Sequence, residues 1–117
     1  MAELTTHVLD TSRGRPAAGV AIRVYECRGD ERVLIKTAET NAGGRTNGPL
    51  LAGQALRVGV YELVFAAGNY FRAQGEALGE PPFLDEVVIR FGVSDATVHY
   101  HVPLLLSPYG YSTYRGS

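Results

Sequence analysis

The sequence predicts an all-β sandwich, and three observations carry that expectation. Its 14 glycines and 6 prolines are spread along the chain rather than gathered in one linker. Turn signals recur at short intervals: Arg13-Gly14-Arg15-Pro16, Arg28-Gly29-Asp30, Asn41-Ala42-Gly43-Gly44, Asn47-Gly48-Pro49, Gly79-Glu80-Pro81-Pro82, Ser94-Asp95 and Ser107-Pro108-Tyr109-Gly110. The runs between them are short and rich in β-branched and aromatic residues, as in a sandwich of regularly spaced strands.

The elements follow in order. Strands are expected over 4–10, 20–27, 32–39, 58–66, 84–92, 96–106 and 110–115. One interruption stands out: Asn69-Tyr70-Phe71-Arg72-Ala73-Gln74 follows Gly68, and asparagine caps helix starts, so a short helix is expected there. Strand side chains alternate between faces. In 96–106 that puts Val98, Tyr100, Val102, Leu104 and Leu106 on a core face and Thr97, His99, His101, Pro103 and Leu105 opposite. In 4–10, Leu4, Thr6 and Val8 alternate with Thr5, His7 and Leu9; in the last strand Ser112, Tyr114 and Gly116 alternate with Tyr111, Thr113 and Arg115. Two strands thus offer a non-core face that mixes histidine with leucine, which suggests a subunit interface or a pocket, against the plainer reading of scattered surface leucines. Pro103 donates no ladder hydrogen bond, so an edge, a bulge or another local irregularity is expected beside it.

Composition narrows the function. A chain of 117 residues suits one domain, 1–117, with a core sufficient without disulfides or metals. Its single cysteine, Cys27, cannot form an internal disulfide and reads as a small apolar residue beside a turn. Eleven Lys and Arg against 12 Asp and Glu leave a net charge of −1, which argues against nucleic acid as a partner and against an acidic disordered tail. The N-terminus lacks the pattern of a secretory signal, no run is apolar and long enough for a membrane helix, and Arg115-Gly116-Ser117 is no peroxisomal address, so a cytoplasmic location is expected.

The candidate chemistry lies in the three histidines and one arginine. His99 and His101 stand two apart and point the same way; His7 joins them if the first and penultimate strands are neighbours. Neutral imidazole is a good general base near neutral pH. Three imidazoles also suit a zinc ion with an open position for water, and either reading competes with plain surface histidines. Arg45 sits in the Gly-rich turn Asn41 to Gly48, where its fork can face carboxylate or imide oxygens at a pocket mouth or simply meet solvent; the turn lacks the Lys-Ser/Thr of a phosphate loop. The polar, aromatic end Tyr114-Arg115-Gly116-Ser117 is odd for a discarded tail, although it also fits an edge strand.

The run His99-Tyr100-His101-Val102-Pro103-Leu104-Leu105-Leu106-Ser107-Pro108-Tyr109-Gly110-Tyr111-Ser112-Thr113-Tyr114-Arg115-Gly116-Ser117 resembles the C-terminal signature of the 5-hydroxyisourate hydrolases of the transthyretin-like family. Its final Tyr-Arg-Gly-Ser separates those enzymes from hormone-binding transthyretin. His7-Val8-Leu9-Asp10, Gly14-Arg15-Pro16-Ala17 and the Thr40-Asn41 turn leading to Gly44-Arg45 extend the likeness over nearly the whole chain. The resemblance implies a transthyretin-like sandwich of two four-stranded sheets with one short helix. It also implies a homotetramer, a dimer of dimers, with active sites in a central channel and no metal or other cofactor. The implied catalytic residues are His7, Arg45, His101 and Tyr114, with His7, Arg45, Tyr114 and Ser117 touching substrate. The implied reaction hydrolyses an imide-like C–N bond of 5-hydroxyisourate, yielding 2-oxo-4-hydroxy-4-carboxy-5-ureidoimidazoline. In it His7 and His101 would activate water, Arg45 would stabilise charge on a ring oxygen, and Tyr114 would orient the ring. A zinc hydrolase using His7, His99 and His101, a carrier of small apolar ligands, and a purely structural sandwich remain the alternatives.

Overall fold

A computed structural model describes residues 2–117. Every expected strand is present, with ends shifted by a few residues: β1 (Glu3–Asp10), β3 (Ala21–Arg28), β4 (Glu31–Glu39), β6 (Gly59–Phe65), β7 (Val87–Val93), β8 (Tyr100–Ser107) and β9 (Gly110–Thr113). Two two-residue strands were not anticipated, β2 (Arg15–Pro16) and β5 (Leu51–Ala52), the latter running into a 3-10 turn at Gly53–Ala55. One sheet runs β4-β3-β6-β7, antiparallel throughout. The other runs β2-β1-β8-β9, with β5 also on β1. Strand β2 pairs with Leu9 and Asp10, and β5 with Glu3 and Leu4, so the two share one edge and the sheet remains four strands wide.

The alternation read from the sequence governs the packing. Leu4, Val8, Tyr100, Val102, Leu104 and Leu106 are buried against Ile22, Val24, Tyr61, Leu63 and Phe65 of the facing sheet. Burying side chains of this size contributes roughly 1.5–3 kcal/mol each before the entropy of ordering them. Val98 departs from the expectation: β8 begins only at Tyr100, and Val98 remains 39% exposed in the preceding turn. That turn is held instead by Asp95, whose carboxylate accepts the Thr97 N–H and hydroxyl, and by the Tyr100 hydroxyl, which accepts the Ser94 and Asp95 N–H groups.

The helix exists but starts earlier than expected. α1 spans Ala67–Ala73, and Ala66 rather than Asn69 occupies the capping position, with no side-chain cap. Asn69 lies inside the first turn and accepts a hydrogen bond from Arg72. Tertiary packing supplies what a cap would have: Tyr70 and Phe71 are buried, and the Tyr70 hydroxyl donates at 2.7 Å to the fully buried carboxylate of Asp10. Among the described residues no helix is long and apolar enough to cross a membrane.

Pro103 sits in an interior strand, not at an edge, and its backbone direction explains why it is tolerated. Main-chain groups of Val102 and Leu106 face β1, since their carbonyls accept the Thr6 hydroxyl and the Thr11 N–H. Those of His101 and Pro103 face β9: the carbonyls accept the Gly116 N–H and the Thr113 hydroxyl. The missing donor therefore weakens only the β9 side. There the ladder stops at Leu104–Thr113 and resumes as one isolated bridge, His101–Gly116. The parallel ladder from Leu4–Tyr100 to Asp10–Leu106 is unbroken. The expected irregularity near Pro103 is this gap, opposite Tyr114.

Candidate active site

β1 and β8 are parallel neighbours, the condition under which the histidines converge. Thr5 lies opposite His101 and His7 opposite Pro103, so Thr5, His7 and His101 share the outer face of one sheet. The Thr5 hydroxyl is 2.8 Å from His101 Nδ1, which leaves Nε2 as the ring nitrogen without a protein partner among the described residues. Burial first, then the Arg45 cation and His7, holds the His101 imidazole below its ordinary 6.5, against a smaller upward pull from the Thr5 main chain. A histidine so placed is neutral near neutral pH and can accept a proton.

Arg45 reaches this face because its loop is tied to the edge of β1. Asn41 closes the loop: its side-chain oxygen accepts the Gly43 N–H, its carbonyl the Gly44 N–H, and its own N–H donates at 2.7 Å to the Arg45 carbonyl. Gly44 then accepts the Val8 N–H at 2.8 Å. Gly44 has φ of 74°, and a Cβ there would collide with the Val8 carbonyl oxygen and crowd Pro16 and His7, so the approach that carries Arg45 into place requires glycine. The loop's root is fixed by buried Thr40, whose hydroxyl donates to the Ala17 carbonyl and accepts the Val20 N–H.

A cavity of about 340 Å³ opens on this face, lined by Glu3, Thr5, Arg45, His99, His101 and Ser117. It brings together three of the five candidate residues: Arg45, His101 and Ser117. His7 stands beside it, half-buried against Gly44. Ser117 arrives through Gly116, whose N–H donates to the His101 carbonyl at 2.8 Å and whose Cα lies so close to the ring that a Cβ would sit 2.5 Å from His101 Cδ2. Tyr114 does not join them within one chain. The residue is 59% exposed, and Thr113 to Arg115 border a second cavity with Ile89, Phe91 and Tyr100, where the Arg115 guanidinium lies 4.3 Å from the Tyr100 ring centre.

His99 Nδ1 accepts the Glu3 N–H at 3.1 Å, which ties it to the end of β1 rather than to His7. Among the described residues no three His, Cys, Asp or Glu side chains are arranged to hold a metal ion, so His7, His99 and His101 do not form the ligand set considered above. Thr5, Gly44 and Gly116 escaped the sequence reading. Thr5 was visible as a face-mate of His7, but its contact with His101 depends on a parallel register between strands 96 residues apart, which no local pattern records.

The chain matches the family model described as "Transthyretin: HIUase/Transthyretin family" over residues 4–116. It is 64% identical to the 5-hydroxyisourate hydrolase of Mesorhizobium japonicum over 97% of this chain and 91% of that protein. Among solved structures, the 5-hydroxyisourate hydrolase of Klebsiella pneumoniae superposes with a TM-score of 0.81 at 35% identity, covering both chains completely. Sea bream transthyretin in complex with thyroxine superposes with a TM-score of 0.88 at 31% identity, over 98% of this chain and 95% of that one. The backbone alone therefore does not separate an enzyme from a carrier, but sequence and fold together establish that this chain belongs to the HIUase/transthyretin family.

Proposed function

We propose that the chain hydrolyses 5-hydroxyisourate to 2-oxo-4-hydroxy-4-carboxy-5-ureidoimidazoline in urate breakdown. It does so as a single domain over residues 1–117 that assembles into a cytoplasmic homotetramer, a dimer of dimers. The observation that carries this reading is the pairing of a depressed, Nε2-free His101 with Arg45, which has no ion-pair partner among the described residues, at one open cavity. An apolar carrier site favours an apolar lining instead. The 64% identity to a 5-hydroxyisourate hydrolase supports the choice of substrate.

In the reaction, His101, with His7 beside it, takes a proton from water as the oxygen attacks the ring carbonyl carbon. Positioned proton transfer of this kind contributes about 10²–10⁴-fold. Arg45 stabilises the charge that develops on the carbonyl oxygen, and the C–N bond breaks as the ring nitrogen takes up the proton. Ser117 contacts the bound ring and Tyr114 orients it. No covalent intermediate is required, since no activated Ser or Cys faces the cavity.

The test is to add the protein to freshly generated 5-hydroxyisourate and follow its ultraviolet decay. Acceleration over the spontaneous decay, undiminished by a chelator, is the expected result. No acceleration refutes the hydrolase reading, and chelator-sensitive turnover restored by zinc returns the metal alternative.

A further inference from the structure

His101 and His99 stand two residues apart beside one cavity, yet their Nδ1 atoms meet opposite kinds of partner. His99 Nδ1 faces a backbone N–H, that of Glu3, which can only donate. The proton of neutral His99 is therefore on Nε2. His101 Nδ1 faces the Thr5 hydroxyl at 2.8 Å, a partner that can accept as well as donate. An N–H on that ring edge, donated to the Thr5 hydroxyl, leaves the Nε2 lone pair bare. On the far edge, Gly116 packs so closely that a Cβ there would sit 2.5 Å from Cδ2, next to Nε2. The cross-strand pairing of Thr5 with His101 fixes the separation of the two groups.

We propose that Thr5 is a positioning residue that holds neutral His101 in the Nδ1–H tautomer, so that Nε2 faces the cavity as a proton acceptor. The inference rests on the proposed hydrolysis for its kinetic consequence but not for its structural one. Without Thr5 the ring divides between tautomers, and molecules carrying the proton on Nε2 cannot take one from water. The loss is thus in the fraction of competent enzyme, which lowers kcat and leaves KM nearly unchanged.

The test compares wild type, Thr5→Val and Thr5→Ser by nitrogen NMR of the imidazoles, at a pH above the titration of His101, and by initial rates on 5-hydroxyisourate. Valine keeps the shape and suits a strand, so the fold is retained. Thr5→Val is expected to convert His101 from Nδ1–H to a mixture and to lower kcat by roughly three- to ten-fold, the range one hydrogen bond spans, with KM within about two-fold. Thr5→Ser should recover both signals to within about two-fold, since it keeps the hydroxyl. An unchanged tautomer in Thr5→Val overturns the inference whatever the rates do. A changed tautomer with unchanged kcat overturns the positioning role. If wild type shows no hydrolysis, the proposed function falls, while the spectra still decide whether Thr5 sets the tautomer.

Discussion

The outer faces of the two sheets are both charged, but their charges are used differently. On the β4-β3-β6-β7 face, Glu62 lies between Arg32 at 3.0 Å and Arg90 at 3.2 Å, Arg23 pairs with Glu86, and the Arg32 guanidinium lies 4.1 Å from the Tyr25 ring centre. The hydrogen bond from Arg32 is the largest influence holding the Glu62 carboxyl below its usual range. On the β2-β1-β8-β9 face, Arg45 and His101 line a cavity with Glu3, yet neither makes an ion pair among the described residues. Paired charges make a solvated surface worth little to stability. The Arg45 cation, beside a neutral imidazole at a concavity and without an ion-pair partner among the described residues, leaves its interaction energy available to a ligand. What marks the site is therefore not charge but charge without an internal partner.

The largest test of that contrast removes Tyr114 to Ser117. Hydrolysis is expected to fall to the uncatalysed background, because Ser117 and the Gly116 contact to His101 are lost together. The fold should persist, since the cut removes one bridge and a cation–π contact from a domain whose total stability is of the order of 5–15 kcal/mol. Circular dichroism and rate measurements check the two halves, and a tail-less protein that remains active displaces the site from this face. Next, Arg45→Ala should lower kcat/KM by about 10²–10³-fold, whereas Arg32→Ala on the opposite sheet should change it by less than about two-fold; equal losses would erase the distinction between the faces. His101→Asn should cost at least about 10²-fold and His99→Asn less than about ten-fold, and parity between them would mean that the cavity uses both rings alike.

The smallest effect is in pH. His101 binds its proton less readily when folded than its ordinary 6.5. The unfolded chain therefore carries more protons here, and stability from this group rises with pH. Its contribution is complete above about 6.5 and is lost as pH falls through the lower, folded value. Thermal melts of wild type should show a downward slope in this acid window that His101→Asn reduces, and the acid limb of kcat/KM should lie below 6.5. A limb above that value would contradict the assignment.

How much of this was legible in the sequence varies with the range of the interaction. The alternation in β1 and β8 is a local property, so the core face and the outward direction of His7 and His101 could be read directly. The extra strands β2 and β5 could not, because two residues carry no periodicity and exist only where β1 offers an unpaired edge. Asn69 was misplaced as a cap because Tyr70 and Phe71, buried against the core, decide where the helix starts. Val98 fits the alternation but lies outside the strand. Tyr114 has the parity of His101 and yet borders another cavity, because strand pairing ends before the tail does.

Pro103 gives that tail its character. With no N–H to offer β9, it leaves Tyr114 and Arg115 outside the ladder and lets a single bridge re-anchor the chain at Gly116. One imino acid thus acts as a seam between two trades practised by the same segment. On one side of it, the paired stretch Leu104 to Thr113 answers to the melting temperature. Beyond it, the last residues answer to turnover, with Gly116 held to glycine by its approach to the His101 ring. In hydrogen exchange the seam should appear as fast amides at 114 and 115 followed by a slower one at 116, whose N–H donates to the His101 carbonyl.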